Sequence, residues 1–239
     1  TAPVFPINGY RGRIWTMSPE FGEPFWDVLV RHGVDAYLCS HVIAFDAQVH
    51  RGVAQITSGG AGTSSGPGGC MPAPTEYHHL VQLALDDAGL QAQVLDMDGH
   101  CREQFCWPPE QGKARGWRLR AATIDASPAR LLLAGRTPGE VFDRVRISLD
   151  GWQPRLHVAL GRAGDTYPQN YPQIWTGPQL KGSPLDLEVV IYPDLGPGGV
   201  LARVDDGPFS SLQSDAAEGF ATAWPEQWQV GEGVEVTEI

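Results

Sequence analysis

The stretch from Val34 to Thr63 constrains the fold of this chain more than any other part of it. An apolar run, Ala36–Cys39, leads directly into Ser40-His41, and alternating runs then flank Arg51-Gly52 before a glycine-rich segment. Short runs of branched and aromatic residues bounded by glycine are typical of strands, and Arg51-Gly52 predicts a hairpin turn. We therefore expect His41 to lie at the end of a strand, where open α/β sheets place their chemistry.

One helix is predicted before this stretch, and one antiparallel pair after it. Apolar residues recur at helical spacing from Pro19 until Gly33, which is a typical stop signal. A helix followed directly by the strand Ala36–Cys39 is one unit of an α/β layer. Further on, Tyr77–Leu85 and Leu90–Leu95 alternate as strands around a turn of aspartate and glycine residues.

The character of the chain changes at the proline- and charge-bearing segment Trp107–Gly116. We interpret residues 109–116 as a linker between a first part, residues 1–108, and an all-β sandwich, residues 117–239. In the second part, short apolar or alternating runs are separated by Gly, Pro and Asp at the spacing of a sandwich. The runs are Trp117–Ala122, Leu131–Ala134, Val145–Leu149, Arg155–Leu160, Leu187–Tyr192 and Val200–Val204.

Composition narrows the classes of partner. The chain has 17 Lys and Arg against 28 Asp and Glu, a net charge of −11 that repels nucleic-acid backbones. No run approaches the length of a membrane-spanning helix. The abrupt start at Thr1 is that of a mature or trimmed product, and the four cysteines, of which Cys101 and Cys106 could pair, are compatible with an oxidising compartment. We expect a secreted or periplasmic protein.

The stretch around His41 resembles the last metal-binding segment of the calcineurin-like metallophosphoesterases, which include the purple acid phosphatases. That segment usually reads G-H-x-H after a strand, and Ser40-His41-Val42-Ile43 stands in its place, with only the first histidine kept. Thr1-Ala2-Pro3 stands where the family has H-x-P, with threonine in place of histidine. The second part resembles, in pattern only, the concanavalin A-like, laminin-G-type jelly rolls.

The resemblance implies an α+β or mostly β chain, in which a partial α/β metallophosphoesterase layer (residues 1 to about 108) precedes a jelly-roll sandwich. It implies hydrolysis of phosphate esters with Fe, Zn or Mn, and His41 as a metal ligand. The G-D-x-x-D and G-N-H motifs of the family's N-terminal half are absent. A single imidazole cannot hold a metal pair, so we expect little activity from this chain unless a separate N-terminal segment of the domain supplies further ligands.

Two other features of the sequence bear on function. Tyr167, Tyr171 and Trp175 lie on a proline-stiffened stretch and could stack on sugar rings, which makes a glycan-binding or interaction module with a vestigial phosphoesterase part the alternative interpretation. His78 and His79 are adjacent on a predicted strand, so their side chains point to opposite faces and cannot chelate one ion. We expect structural roles for both.

Overall fold

The structure is a computed structural model that describes residues 1–8, 16–42, 44–60, 78–108, 115–121, 130–136, 144–149, 155–161, 173–180, 185–191, 199–214 and 227–238. Over these residues the chain is mostly β, with one helix. No helix among them is long and apolar enough to cross a membrane.

The helix and the strands of the first part follow one another along the chain, and the strands of the second part follow them. They are α1 (Pro19–Arg31), β1 (Ala36–Cys39), β2 (Phe45–His50), β3 (Val53–Ser58), β4 (His79–Asp86), β5 (Gly89–Asp96) and β6 (Cys101–Trp107). The later strands are β7 (Arg115–Ala121), β8 (Arg130–Arg136), β9 (Arg144–Leu149), β10 (Arg155–Gly161), β11 (Gln173–Gln179), β12 (Leu185–Ile191), β13 (Val200–Val204), β14 (Ser210–Ser211), β15 (Gln213–Ser214), β16 (Gln227–Val230) and β17 (Val234–Glu238).

These strands form four sheets. Sheet A has the order β1-β3-β2, and sheet B has the order β4-β5-β6. Sheet C has the order β14-β13-β12-β7-β17, and sheet D has the order β15-β11-β10-β9-β8-β16. Apart from β1 and β3, which run parallel, the paired strands are antiparallel within the described part of the chain.

The local predictions for the first part are confirmed. The helix begins at Pro19 and is followed by Gly33 with φ 60°, the left-handed conformation that glycine adopts without strain. β2 and β3 form the expected hairpin, with Arg51 at φ 53° and Gly52 at φ 84° in its turn. Two positive φ values in succession match the right-handed twist of the strands that they join.

The structure does not support the α/β layer that we expected around β1. Such a layer needs helices alternating with parallel strands, whereas β1 continues into the antiparallel hairpin β2-β3 and then into the antiparallel sheet B. The single helix packs on one face of sheet A through Trp26, which is buried beside Val4 and Val53. A helix followed directly by a strand predicts that the two elements pack together, but it does not establish an α/β layer.

Sheets A and B lie face to face and share a core. Inward-facing side chains of β2 and β3, such as Phe45 and Ile56, join Val94 and Phe105 of sheet B in one buried cluster. Val190 and Leu201 of sheet C belong to the same cluster, so residues on both sides of the predicted linker share a core. Of that linker, residues 109–114 lie outside the described residues and 115–116 begin β7; the domain boundary stays a prediction.

Sheets C and D enclose a separate core. Its buried members include Trp117, Leu132, Ile147, Leu156 and Val189, which come from strands of both sheets. Each of the six runs predicted in this part coincides with a strand. The strands β11 and β14 to β17 were not predicted.

The disulfide considered between Cys101 and Cys106 does not fit the structure. Both residues belong to the extended strand β6. Five residues of a strand span roughly 16 Å, and the bulge between these two positions shortens that distance only slightly. Disulfide-bonded cysteines need Cα atoms within about 7 Å of each other, so this pairing is wrong.

Candidate functional site

The candidate site lies where the two parallel strands of sheet A end. Cys39 of β1 is opposite Thr57 of β3, so the residues that follow each strand leave the sheet together, at the edge formed by the carboxyl ends of the strands. His41 follows β1 and has φ 81°, a left-handed conformation that is uncommon for a residue other than glycine. Its side chain is exposed. The backbone therefore turns sharply at His41 and presents it at the sheet edge.

The first residues of the chain lie beside this edge. The Ser40 backbone N–H donates a hydrogen bond to the Thr1 carbonyl oxygen at 2.9 Å. The Thr1 hydroxyl donates to the Leu38 carbonyl oxygen at 3.4 Å, and the Tyr37 hydroxyl donates to the Ala2 carbonyl oxygen at 2.9 Å. The two segments that carry the phosphoesterase resemblance, distant in sequence, are thus adjacent in the fold.

Two further histidines stand at the same end of the sheets and hold sheet A to sheet B. His79 is buried, with its Nε2 atom 3.1 Å from the Ser58 hydroxyl. Its backbone N–H donates to the Gly60 carbonyl oxygen at 3.4 Å, and His78 Nδ1 lies 3.3 Å from the same oxygen. A Cβ at Gly60 would overlap the His79 ring, so glycine is required there. These contacts agree with structural roles for both histidines.

Behind the edge, one face of sheet A is polar and buried. Register places Asp46 with Thr57, Gln48 with Gln55 and His50 with Val53 on this face. Asp46, Gln48, His50, Gln55 and Thr57 are all buried. Sequence reasoning missed this set; its signal was the alternation of polar with apolar residues along Phe45–His50 and Val53–Ser58, which indicates two buried faces of different chemistry.

Burial favours the neutral form of each ionisable group on this face. Burial raises the pKa of Asp46 to about 7, opposed by hydrogen bonds from the Gln48 and Asn8 side-chain amides. Burial lowers the pKa of His50 to about 3; its Nε2 atom lies 2.8 Å from Gln48 Oε1 and its ring stacks on Phe5 with centroids 3.6 Å apart. Burial also raises the pKa of Cys39 to about 11, so Cys39 is a thiol rather than a reactive thiolate.

The residues described around His41 do not fit a metal pair. A tetrahedral or dinuclear site needs several imidazole, carboxylate or thiolate ligands converging on one point. Among the described residues, one group brings three such ligands together, and it is Asp96, Asp98 and His100 in the exposed turn between β5 and β6. The predicted role of His41 as a metal ligand therefore stays a prediction that needs further ligands.

The Asp96 group is explained by its turn. The Asp96 carboxylate accepts hydrogen bonds from the backbone N–H groups of His100 and Asp98, at 2.9 and 3.0 Å. The first of these bonds is the main cause of the lowered pKa of Asp96. Gly99 has φ 81° in the same turn, a conformation that glycine adopts without strain.

The side chains proposed to stack on sugars lie outside the described part of the structure. Tyr167 and Tyr171 lie outside the described residues. Trp175 belongs to β11, where its backbone is opposite Val158 on one side and Ser214 on the other, but its side chain lies outside the described part of the structure. Glycan binding therefore stays a prediction.

Comparison with known proteins found no family model, no curated protein and no solved structure that matches this chain. A functional assignment accordingly depends on the residues and their geometry.

Proposed function

We propose that residues 1–108 are the C-terminal part of a metal-dependent phosphoesterase domain and that a jelly-roll sandwich follows them. One observation carries the proposal. The fold places Thr1, where the resembled family has a ligand histidine, beside Ser40-His41, where it has another. Nothing in the sequence between these segments requires them to meet, whereas two ligand segments of one metal site must do so.

An edge strand and exposed apolar side chains in the first part support the idea of a partial domain. Trp107 of β6 donates from Nε1 to the Gly52 carbonyl oxygen in the β2-β3 turn, whereas His79 of β4 contacts Phe45 and Ser58 at the other end of the same hairpin. β4 is an edge strand of sheet B, whereas the edge of β1 in sheet A is partly taken up by Thr1, which bonds Leu38 and Ser40. Bare strand edges are templates for further strands.

The side chains along these edges strengthen that argument. Leu38 of β1 is opposite Ile56, and Leu85 of β4 is opposite Leu90, so both leucines face the space between the sheets. Yet Leu38 is 53% exposed and Leu85 is 68% exposed. Inward-facing leucines that are left exposed fit a domain in which another polypeptide segment supplies the missing strands and the missing metal ligands.

The proposal assigns no hydrolytic step to this chain alone. His41 is the candidate ligand, and the partner segment would complete the site for a phosphoester substrate. We expect the purified chain to turn over a chromogenic phosphate ester no faster than its His41→Ala variant. Turnover near that of a typical enzyme, lost in His41→Ala, would contradict an incomplete site.

A gain-of-binding experiment tests the placement directly. Thr1→His restores the histidine of the H-x-P pattern, and two imidazoles near one point bind zinc more tightly than one. We expect the Zn²⁺ affinity of Thr1→His, measured by isothermal titration calorimetry, to exceed that of the parent chain at least about tenfold. Adding His41→Ala should abolish the gain.

Thr237→His on the exposed strand β17 is the matched control, because it adds a histidine far from His41 in the sequence and on another sheet. An equal gain in Thr237→His, or no gain in Thr1→His, would overturn the assignment of the two segments to one metal site.

A further inference from the structure

Residues 1–8 run from the candidate site across the polar face of sheet A as an irregular segment. Residues 1–8 contain no strand. Even so, Val4, Ile7 and Asn8 are buried. A buried segment outside a sheet must satisfy its backbone N–H and C=O groups in another way, and side chains of β2 and β3 do so here.

Gln55 takes the place of a neighbouring strand for this segment. Its side-chain oxygen accepts hydrogen bonds from the backbone N–H groups of Val4 and Phe5, at 2.8 and 3.0 Å. Its Nε2 atom donates to the Phe5 carbonyl oxygen at 3.0 Å. One buried amide thus satisfies three backbone groups and fixes the position of residues 4–5 over β3.

Gln48, opposite Gln55 on β2, adds a second anchor further along the segment. Its Nε2 atom donates to the Pro6 carbonyl oxygen at 2.7 Å and also to Asp46. Its oxygen accepts from Gln213 Nε2 at 2.8 Å, next to the His50 ring nitrogen at the same distance. Asn8 Nδ2 donates to Asp46 at 3.3 Å, which ties the end of the segment to the same chain of side chains.

The buried amides of this face fix the register of residues 1–8. The opposite face of the same two strands is apolar, with Phe45, Val49 and Ile56 in the shared core. Apolar contacts would cover residues 1–8 but tolerate sliding, whereas buried amides cost several kcal/mol when left unpaired and so favour one register. That register determines where Thr1 lies relative to Ser40.

We infer that Gln55 and Gln48 are positioning residues, which hold residues 4–6 in the one register that sets Thr1 beside Ser40-His41. As an account of a metal site this rests on the proposed function; as an account of the backbone it stands alone. Neither residue contacts a reacting group. Each acts through the segment that it holds.

The test replaces Gln55 by methionine, which is similar in length but has no amide. We expect hydrogen–deuterium exchange at the amides of Val4, Phe5 and Ser40 to speed up by at least about tenfold, and nuclear Overhauser contacts between the Thr1 methyl group and Leu38 to disappear. Exchange in β10 should stay unchanged, which shows that the chain is folded. Gln93→Met, on the exposed face of β5, is the control for the substitution itself.

Two further arms separate positioning from simple support. Gln55→Glu keeps the acceptor oxygen for Val4 and Phe5, and it should restore protection at acidic pH, where its carboxyl is protonated and can donate to the Phe5 carbonyl oxygen. In the Thr1→His background, Gln55→Met should remove the gain in Zn²⁺ affinity while Gln93→Met leaves it intact. Should Gln55→Met fail to fold, Gln55→Asn, one methylene shorter, is measured in the same way.

The outcomes are distinguishable. Unchanged exchange and unchanged Thr1 contacts in folded Gln55→Met or Gln55→Asn would overturn the inference. Loss of those contacts, together with no zinc gain in Thr1→His, would support the positioning role and refute the metal site.

Discussion

The two parts of the molecule differ in how completely they cover their apolar side chains. The sandwich of sheets C and D encloses its core between sheets of five and six strands. Sheets A and B have three strands each. Seven of the eight large hydrophobic side chains that are exposed among the described residues belong to the first part: Phe21, Val28, Leu38, Leu80, Leu83, Leu85 and Met97.

Among the described residues, this difference is greatest at β4. β4 is an edge strand in which nearly every residue is exposed, and from Leu80 to Leu85 it carries no charge, no proline and no bulge. Natural edge strands that face solvent are usually protected by such devices. An unprotected edge beside exposed, inward-facing leucines indicates a surface made to be covered.

The largest expected effect comes from one substitution made in both parts. Leu156→Ala removes a fully buried side chain of β10 and should lower the free energy of unfolding by about 2–5 kcal/mol. Leu85→Ala removes a side chain that is 68% exposed and should change it by less than about 0.5 kcal/mol. Urea denaturation of the parent and both variants measures the two values, and a large loss for Leu85→Ala would mean that β4 is covered in the isolated chain.

The second prediction concerns pH and sharpens the contrast within sheet A. Asp46 has a raised folded-state pKa, about 7, so its contribution to stability is present below pH 4 and is lost as pH rises to 7. His50 has a lowered pKa, about 3, so its contribution is present above pH 6.5 and is lost as pH falls to 3. The two slopes oppose each other between about pH 4 and 6.5 and largely cancel.

Single substitutions should unmask each slope. Relative to the parent, Asp46→Asn should become less stable as pH falls from 6.5 to 4, because His50 alone remains. His50→Gln should become more stable over the same range, because Asp46 alone remains. Each difference has an upper limit of about 1.4 kcal/mol per pH unit. Parallel curves for parent and variants in urea titrations at several pH values would show that the two groups are not buried as described.

Substitutions on the edge strand β4 should have the smallest effect on the free energy of unfolding but a measurable effect on self-association. Leu83→Lys and Leu85→Lys place charges on β4, which opposes edge-to-edge pairing. Both should leave the unfolding free energy within about 0.5 kcal/mol of the parent and reduce concentration-dependent self-association in light scattering. Lysine at Gln93, exposed on the central strand β5, is the control. An equal effect at Gln93 would point to net charge rather than the edge.

Much of the local structure could be predicted from the sequence, because local rules determine it. The positions of glycines and the spacing of apolar residues predict the helix, the β2-β3 hairpin and the Asp86–Gly89 turn. The hydrogen bonds that hold residues 1–8 could not be predicted, because Gln55 contacts Val4 and Phe5 only after β1, β2 and β3 have paired. An isolated glutamine in a strand carries no signal of its partner, and the exposure of Leu38 and Leu85 depends on how two sheets are stacked.

The measurement that tests the central claim most directly is the transition-metal content of the purified chain, by inductively coupled plasma mass spectrometry without added metal. The account predicts far less than one equivalent of Fe, Zn or Mn, because His41 stands without a complete ligand set among the described residues. Two equivalents, lost in His41→Ala, would contradict it, since the chain would then hold the whole site by itself.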